Sequence, residues 1–175
     1  SDLATFMIGG ILKKDLQLPK YANLLWTYLE DYDFVLTPLP NHLFQRDNSA
    51  FAYAGVSVHP MAKPARQRET IHSRIIWNFH PDFKDEIPHF YYGNDDEHHQ
   101  PATVEGGDVL VVGNGAVMIG MGERTTPQGI GMLAQAYFSA PEQQITKVIV
   151  VELPKTRSLM HLDTAMTMID KDKFS

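Results

Sequence analysis

One order of elements recurs along this chain, and it limits the fold more than any single motif does. A polar head, two short strands around a glycine, a helix and a closing strand run from Asp47 and again from Glu105. The first copy reads Phe51-Ala52-Tyr53, Gly55-Val56-Ser57-Val58, a helix from Lys63-Pro64 to about Phe79, and His89-Phe90-Tyr91-Tyr92. Pro64 suits a first helical turn, and His80-Pro81 ends the helix because the residue before proline avoids helical backbone. The second copy reads 109–112, a Gly113-Asn114-Gly115 hairpin turn, 116–120, a helix after Pro127 and the β-branched run 147–151. Such an uninterrupted apolar run predicts a strand buried on both faces. A third copy opens at Met160-His161-Leu162-Asp163, with 165–169 as its first strand. Asp47 to Glu105 is 58 residues and Glu105 to His161 is 56. Arg66 and Arg124 each follow their head by 19. Repetition at this period predicts similar ββαβ units around a pseudo-axis, with their heads converging at one end.

Residues 1–33 have a different pattern. Leu3, Phe6, Met7, Ile11 and Leu12 space as one helical face, with Ser1 and Asp2 as caps and Gly9-Gly10 as a weak point. Leu24, Leu25, Tyr28 and Leu29 form a second helical stripe, and Phe34-Val35-Leu36-Thr37 reads as a strand. The expected division is therefore a helical segment, 1–33, and an α/β body, 34–175. A hydrophobic fraction of 43% and a charged fraction of 21% fit a soluble globular chain. The net charge of −6 argues against non-specific nucleic-acid binding. No apolar run approaches the roughly 18 residues of a membrane span, and no export signal is present, so the expected location is cytoplasmic. The chain has no cysteine, hence no disulfide, thiolate metal site or thiol nucleophile of its own.

Convergence of the heads would gather Asp47, Glu105, Asp108, His161 and Asp163, with Arg66 and Arg124 near the rim. Central carboxylates suit a planar cation, and arginines suit a carboxylate, which together describe a zwitterion with a cationic tip. Free arginine has that polarity, and a histidine among the carboxylates can move protons near neutral pH. In Glu105-Gly106-Gly107-Asp108 the glycines permit close backbone approach. Asp95-Asp96-Glu97-His98-His99 lacks helical His spacing and reads as a solvated loop rather than a metal site.

Five segments, taken in order, resemble the arginine deiminase family. They are Asn41-His42-Leu43-Phe44-Gln45-Arg46-Asp47, Pro64-Ala65-Arg66, Glu105-Gly106-Gly107-Asp108, Gly120-Met121-Gly122-Glu123-Arg124 and Met160-His161-Leu162-Asp163. The resemblance implies a pentein-type α/β propeller, here partial and truncated at both ends, with 1–33 as the end of an inserted helical domain. It implies hydrolysis of L-arginine to L-citrulline and ammonia without metal or organic cofactor. It casts Asp47 and Glu105 as guanidinium ligands, His161 as general acid/base and Asp163 as a further carboxylate at the guanidinium. Arg66 and Arg124 would hold the substrate carboxylate, and Asn41 and Phe44 would line the pocket. The family's cysteine nucleophile is missing from these residues, so no turnover is expected from them alone. A part-ring leaves unclosed apolar faces, from which a homo-oligomer is expected. Rival readings are a metal-dependent hydrolase built on His98 and His99, and a non-catalytic interaction protein of the same fold. Dimethylarginine hydrolase and amidinotransferase are the rivals within the superfamily.

Overall fold

The computed structural model describes residues 2–16, 24–87, 89–94 and 99–175. They form two compact units, Ser1–Leu43 and Phe44–Ser175. In the first, α1 (Asp2–Gly9) stops where Gly10 takes a φ of 83°. A side chain at Gly10 would meet the Leu36 carbonyl oxygen at 2.6 Å, so only glycine fits. Ile11 and Leu12, expected on the helix face, instead form β1 (Ile11–Leu12), antiparallel to β2 (Phe34–Leu36). The left-handed glycine redirects the chain into an extended path, which overrides the helical spacing. The second helix, α2 (Leu24–Tyr28), exposes Leu24, Leu25 and Tyr28.

The second unit contains the repeat. One turn of helix, α3 (Gln45–Asn48), leads into β3 (Ser49–Ala52) and β4 (Gly55–Val58), an antiparallel pair. The helix expected from Pro64 divides at Arg68 into α4 (Pro64–Gln67) and α5 (Glu69–Phe79). Strand β5 (His89–Tyr92) then adds parallel to β4, and the sheet order is β3-β4-β5. The second copy has the same topology. β6 (Val109–Gly113) and β7 (Ala116–Met121) are antiparallel, α6 (Pro127–Ser139) crosses over, and β8 (Lys147–Glu152) lies parallel to β7. The hairpin turn works because Asn114 and Gly115 take φ of 52° and 72°, matching the twist of the strands. Thr126 caps α6 by accepting from the Gly129 N–H at 3.2 Å. The third head leads into a short antiparallel hairpin, β9 (Met168–Asp170) and β10 (Lys173–Phe174). Its first strand starts three residues later than expected, because a 3-10 turn, Leu162–Thr164, follows His161.

Helix α6 joins the two copies. Leu133 and Tyr137 are wholly buried and share one cluster with Ala50 and Ala52 of β3, Tyr91 of β5, and Val117 and Ile119 of β7. The Tyr91 and Tyr137 rings meet edge to face, centroids 4.9 Å apart. This shared core holds the two heads in fixed relation. Strand β8, expected to be buried on both faces, is mostly exposed, with Val150 at 47%. It is the outer strand of its sheet, and Ile149 and Val150, on opposite faces, are both exposed. No helix among the described residues is long and apolar enough to cross a membrane.

The core account predicts that Leu133→Ala costs about 2–5 kcal/mol. Gln135→Ala, on the exposed face of α6, should stay within about 0.5 kcal/mol. Urea unfolding of the two variants measures both.

Candidate active site

The three heads reach one place by similar local means. Asp47 lies in the α3 turn, while Glu105 and His161 each stand immediately before a 3-10 turn, Gly106–Asp108 and Leu162–Thr164. One acidic oxygen from Asp47, one from Glu105 and a ring nitrogen of His161 lie within 4.8 Å of one another, and all three residues are buried. His161 Nε2 is 2.7 Å from Glu105 Oε2, and its Nδ1 is 3.7 Å from Asp47 Oδ1. The imidazole thus lies between two carboxylates. The Gly-Gly pair makes room for this. A side chain at Gly107 would strike the His161 ring at 2.8 Å, and one at Gly106 would strike the Arg46 carbonyl oxygen at 2.1 Å. The close approach anticipated for a ligand is made by the protein itself.

The equal offsets of the arginines have a structural cause: each pairs with the head of its own copy. Arg66 Nη1 donates to Asp47 Oδ2 at 2.6 Å, and Arg124 Nη1 lies 3.3 Å from Glu105 Oε2. Arg66 is not at the rim as expected; it is 5% exposed. Its Nε and Nη2 also donate to the two oxygens of Glu69, at 3.0 and 2.9 Å, and Nη2 donates to the Phe44 carbonyl at 3.2 Å. Glu69 is wholly buried and answers this charge; its i, i+3 spacing from Arg66 was a readable signal that only the structure brings into the site. Arg124 is held more loosely. Its Nε is buried without a hydrogen-bond partner among the described residues.

Asp163 is not drawn into the trio. Its carboxylate pairs with Arg46 Nε at 3.4 Å, beside an open cleft of about 590 Å³ lined also by Phe51, Val111 and Met168. The Phe44 side chain is half exposed at the start of α3. Asn41 belongs to the first unit, in the turn over 40–43. The acidic loop falls largely outside the described residues, including His98; the His99 ring meets that of Tyr92 at a tilt, centroids 4.7 Å apart.

His59 is a further buried residue that the sequence reading left out. Its Nδ1 lies 3.0 Å from the Asp47 carbonyl oxygen and its Nε2 lies 2.8 Å from Ser57 Oγ. Burial lowers its pKa to about 4, so near neutral pH it is an uncharged prop, its Nδ1–H donating to the Asp47 main chain. His161 behaves oppositely. Burial disfavours its charge, but the hydrogen bond to Glu105 and the field of Asp47 outweigh burial and raise its pKa. Burial likewise opposes ionisation of Glu105, yet the His161 hydrogen bond and the Arg124 charge hold its pKa below the usual value. The two shifts agree on one state, an imidazolium against a carboxylate.

A model for the arginine deiminase family matches the chain over residues 1–175. The chain belongs to the arginine deiminase family. Three solved structures of dimethylarginine dimethylaminohydrolase share its fold. An adduct with 4-chloro-2-hydroxymethylpyridine aligns with a TM-score of 0.53 at 20% identity, over 79% of this chain and 50% of that one. The Pseudomonas aeruginosa enzyme, a mutant complexed with citrulline, gives 0.52 at 22%, over 77% and 47%. An adduct with S-methyl-L-thiocitrulline gives 0.54 at 20%, over 82% and 51%. At these identities the likeness establishes a mixed α/β fold similar to that of those enzymes. The chain spans about half the length of each.

The charge pair carries a pH signature. His161 is raised above its ordinary 6.5, so its contribution is complete below that pH and fades as pH rises through the folded value. Glu105 is lowered from 4.5, so its contribution is present above that pH and fades as pH falls through the folded value. The pair therefore stabilises most between these limits. His161→Gln should cost about 2 kcal/mol near pH 6 and clearly less near pH 9. Denaturant unfolding of both proteins at the two pH values checks this difference.

Proposed function

We propose that this chain is the guanidinium-binding and acid/base part of an arginine deiminase, which converts L-arginine and water to L-citrulline and ammonia. The observation that carries the reading is the buried trio of Glu105, Asp47 and His161 within 4.8 Å, in a chain of this family. Glu105 and Asp47 would hold the guanidinium, each by charge-assisted hydrogen bonds. A guanidinium is delocalised and resists attack, so fixing its plane is the main service these carboxylates provide. A thiolate from outside these 175 residues, which contain no cysteine, would attack and bond to the guanidinium carbon. Ammonia would leave with a proton from His161. His161 would then take a proton from water, whose oxygen displaces the thiolate to give citrulline.

The two arginines divide the remaining work. Arg124, held only loosely at 3.3 Å from Glu105, would suit the substrate carboxylate. Arg66 is engaged at Nε, Nη1 and Nη2, so its part is to hold Asp47. Phe44 would complete the pocket wall, and Asp163 would turn from Arg46 to the guanidinium once substrate is bound. The two ββαβ copies support a propeller in the complete protein, with 1–33 as the end of a helical insert.

Titration calorimetry with L-arginine tests the reading. Binding is expected, weakened at least about 10-fold in Glu105→Gln, where a charged hydrogen-bond acceptor is lost. Citrulline is expected only when a cysteine-bearing segment of the family is supplied. A folded chain that binds no arginine would overturn the proposal in favour of an interaction protein. Citrulline from the pure chain would overturn the role given to an outside thiol.

A further inference from the structure

Asp108 has no part in the chemistry above, yet it is 1% exposed and both its oxygens are engaged. The hydrogen bonds that pass through it form a closed ring with the site. The Glu105 backbone N–H donates to Thr125 Oγ1 at 3.0 Å. The Thr125 hydroxyl donates to Asp108 Oδ2 at 2.5 Å. Asp108 Oδ1 accepts the Leu162 N–H at 2.8 Å. The residue before Leu162 is His161, whose Nε2 returns to Glu105 Oε2 at 2.7 Å. Thr125 is wholly buried and Leu162 nearly so. Gly120 keeps the space for the carboxylate, because a side chain there would lie 2.3 Å from Asp108 Oδ1.

Three remote segments meet in this ring, around 105, 125 and 161. The side-chain contact that the mechanism needs, His161 to Glu105, closes it. Hydrogen bonds weaken steeply with misalignment, and sites lose function when their supports are loose by about 1 Å. We propose that Asp108 is a positioning residue that, through Thr125 and the Leu162 N–H, sets the main chain of His161 in register with Glu105. The inference rests on the reading of His161 as the acid/base group.

The alternative is that Asp108 acts on His161 only as a nearby charge. Asp108→Asn and Asp108→Ala remove the same charge, but only Asn retains an oxygen for the Leu162 N–H. Thr125→Val cuts the ring without changing charge, and Thr125→Ser restores the hydroxyl. The readout is the pKa of His161 in the ligand-free protein, from NMR of its ring, assigned with His161→Gln. Asp108→Ala should lower that pKa by about 1 more than Asp108→Asn does, reflecting loss of the Glu105 bond. Thr125→Val should lower it, and Thr125→Ser should return it to the wild-type value. Equal effects of Asn and Ala, or an unchanged His161 in Thr125→Val, would overturn the proposal. Should Asp108→Ala not fold, the Thr125 pair decides alone. No ligand enters the measurement, so a failure to bind arginine would count against the proposed function and not against this arrangement.

Discussion

A carboxylate enclosed by protein must be met by positive charge or donors, or it takes up a proton. Glu105 is wholly buried and remains ionised because His161 reaches it at 2.7 Å and Arg124 at 3.3 Å. That single contact between imidazole and carboxylate organises the surroundings. It requires Gly107 to be bare, since any side chain would occupy the place of the ring. It requires the Leu162 segment to be anchored, which Asp108 does. It also requires Asp47 to approach from the other side without collapsing onto the histidine, which Arg66 and the neutral His59 prevent by holding both ends of that residue. Without any ligand, the carboxylates of Glu105 and Asp47 are thus met by the protein's own imidazole and arginines.

The repeat explains how residues more than fifty positions apart come together. Each ββαβ copy delivers one acidic head, and each head is bound by the arginine 19 residues later. Helix α6 packs across both copies, so the separation of the heads is fixed by core packing rather than by a loop. The ion pair of Arg46 with Asp163, by contrast, is partly exposed beside a cleft.

Much of this was legible in the sequence because it is local. Proline and glycine mark the helix starts and the 113–115 turn, and short apolar runs mark the strands. The heads could be found because they recur. The function of the arginine offset was not legible: spacing alone does not say whether an arginine faces a ligand or its own carboxylate, and for Arg66 burial with Glu69 decides it. Ile11 and Leu12 were misread because one left-handed glycine outweighs a favourable helical stripe. The exposure of β8 depends on what covers its sheet, which no strand pattern encodes. Thr125 and Asp108 bond to residues 17 to 54 positions away, and His59 bonds to Ser57 and to the Asp47 main chain; nothing in their spacing announces these bonds.

His161 is held between Glu105 and Asp47, which together favour its charged imidazolium form. Nitrogen-15 NMR of the His161 ring in the ligand-free protein at about pH 6.5, the ordinary histidine value, tests it most directly. The account predicts that both ring nitrogens carry protons in most molecules. A ring in which one nitrogen is mainly unprotonated at that pH would contradict it.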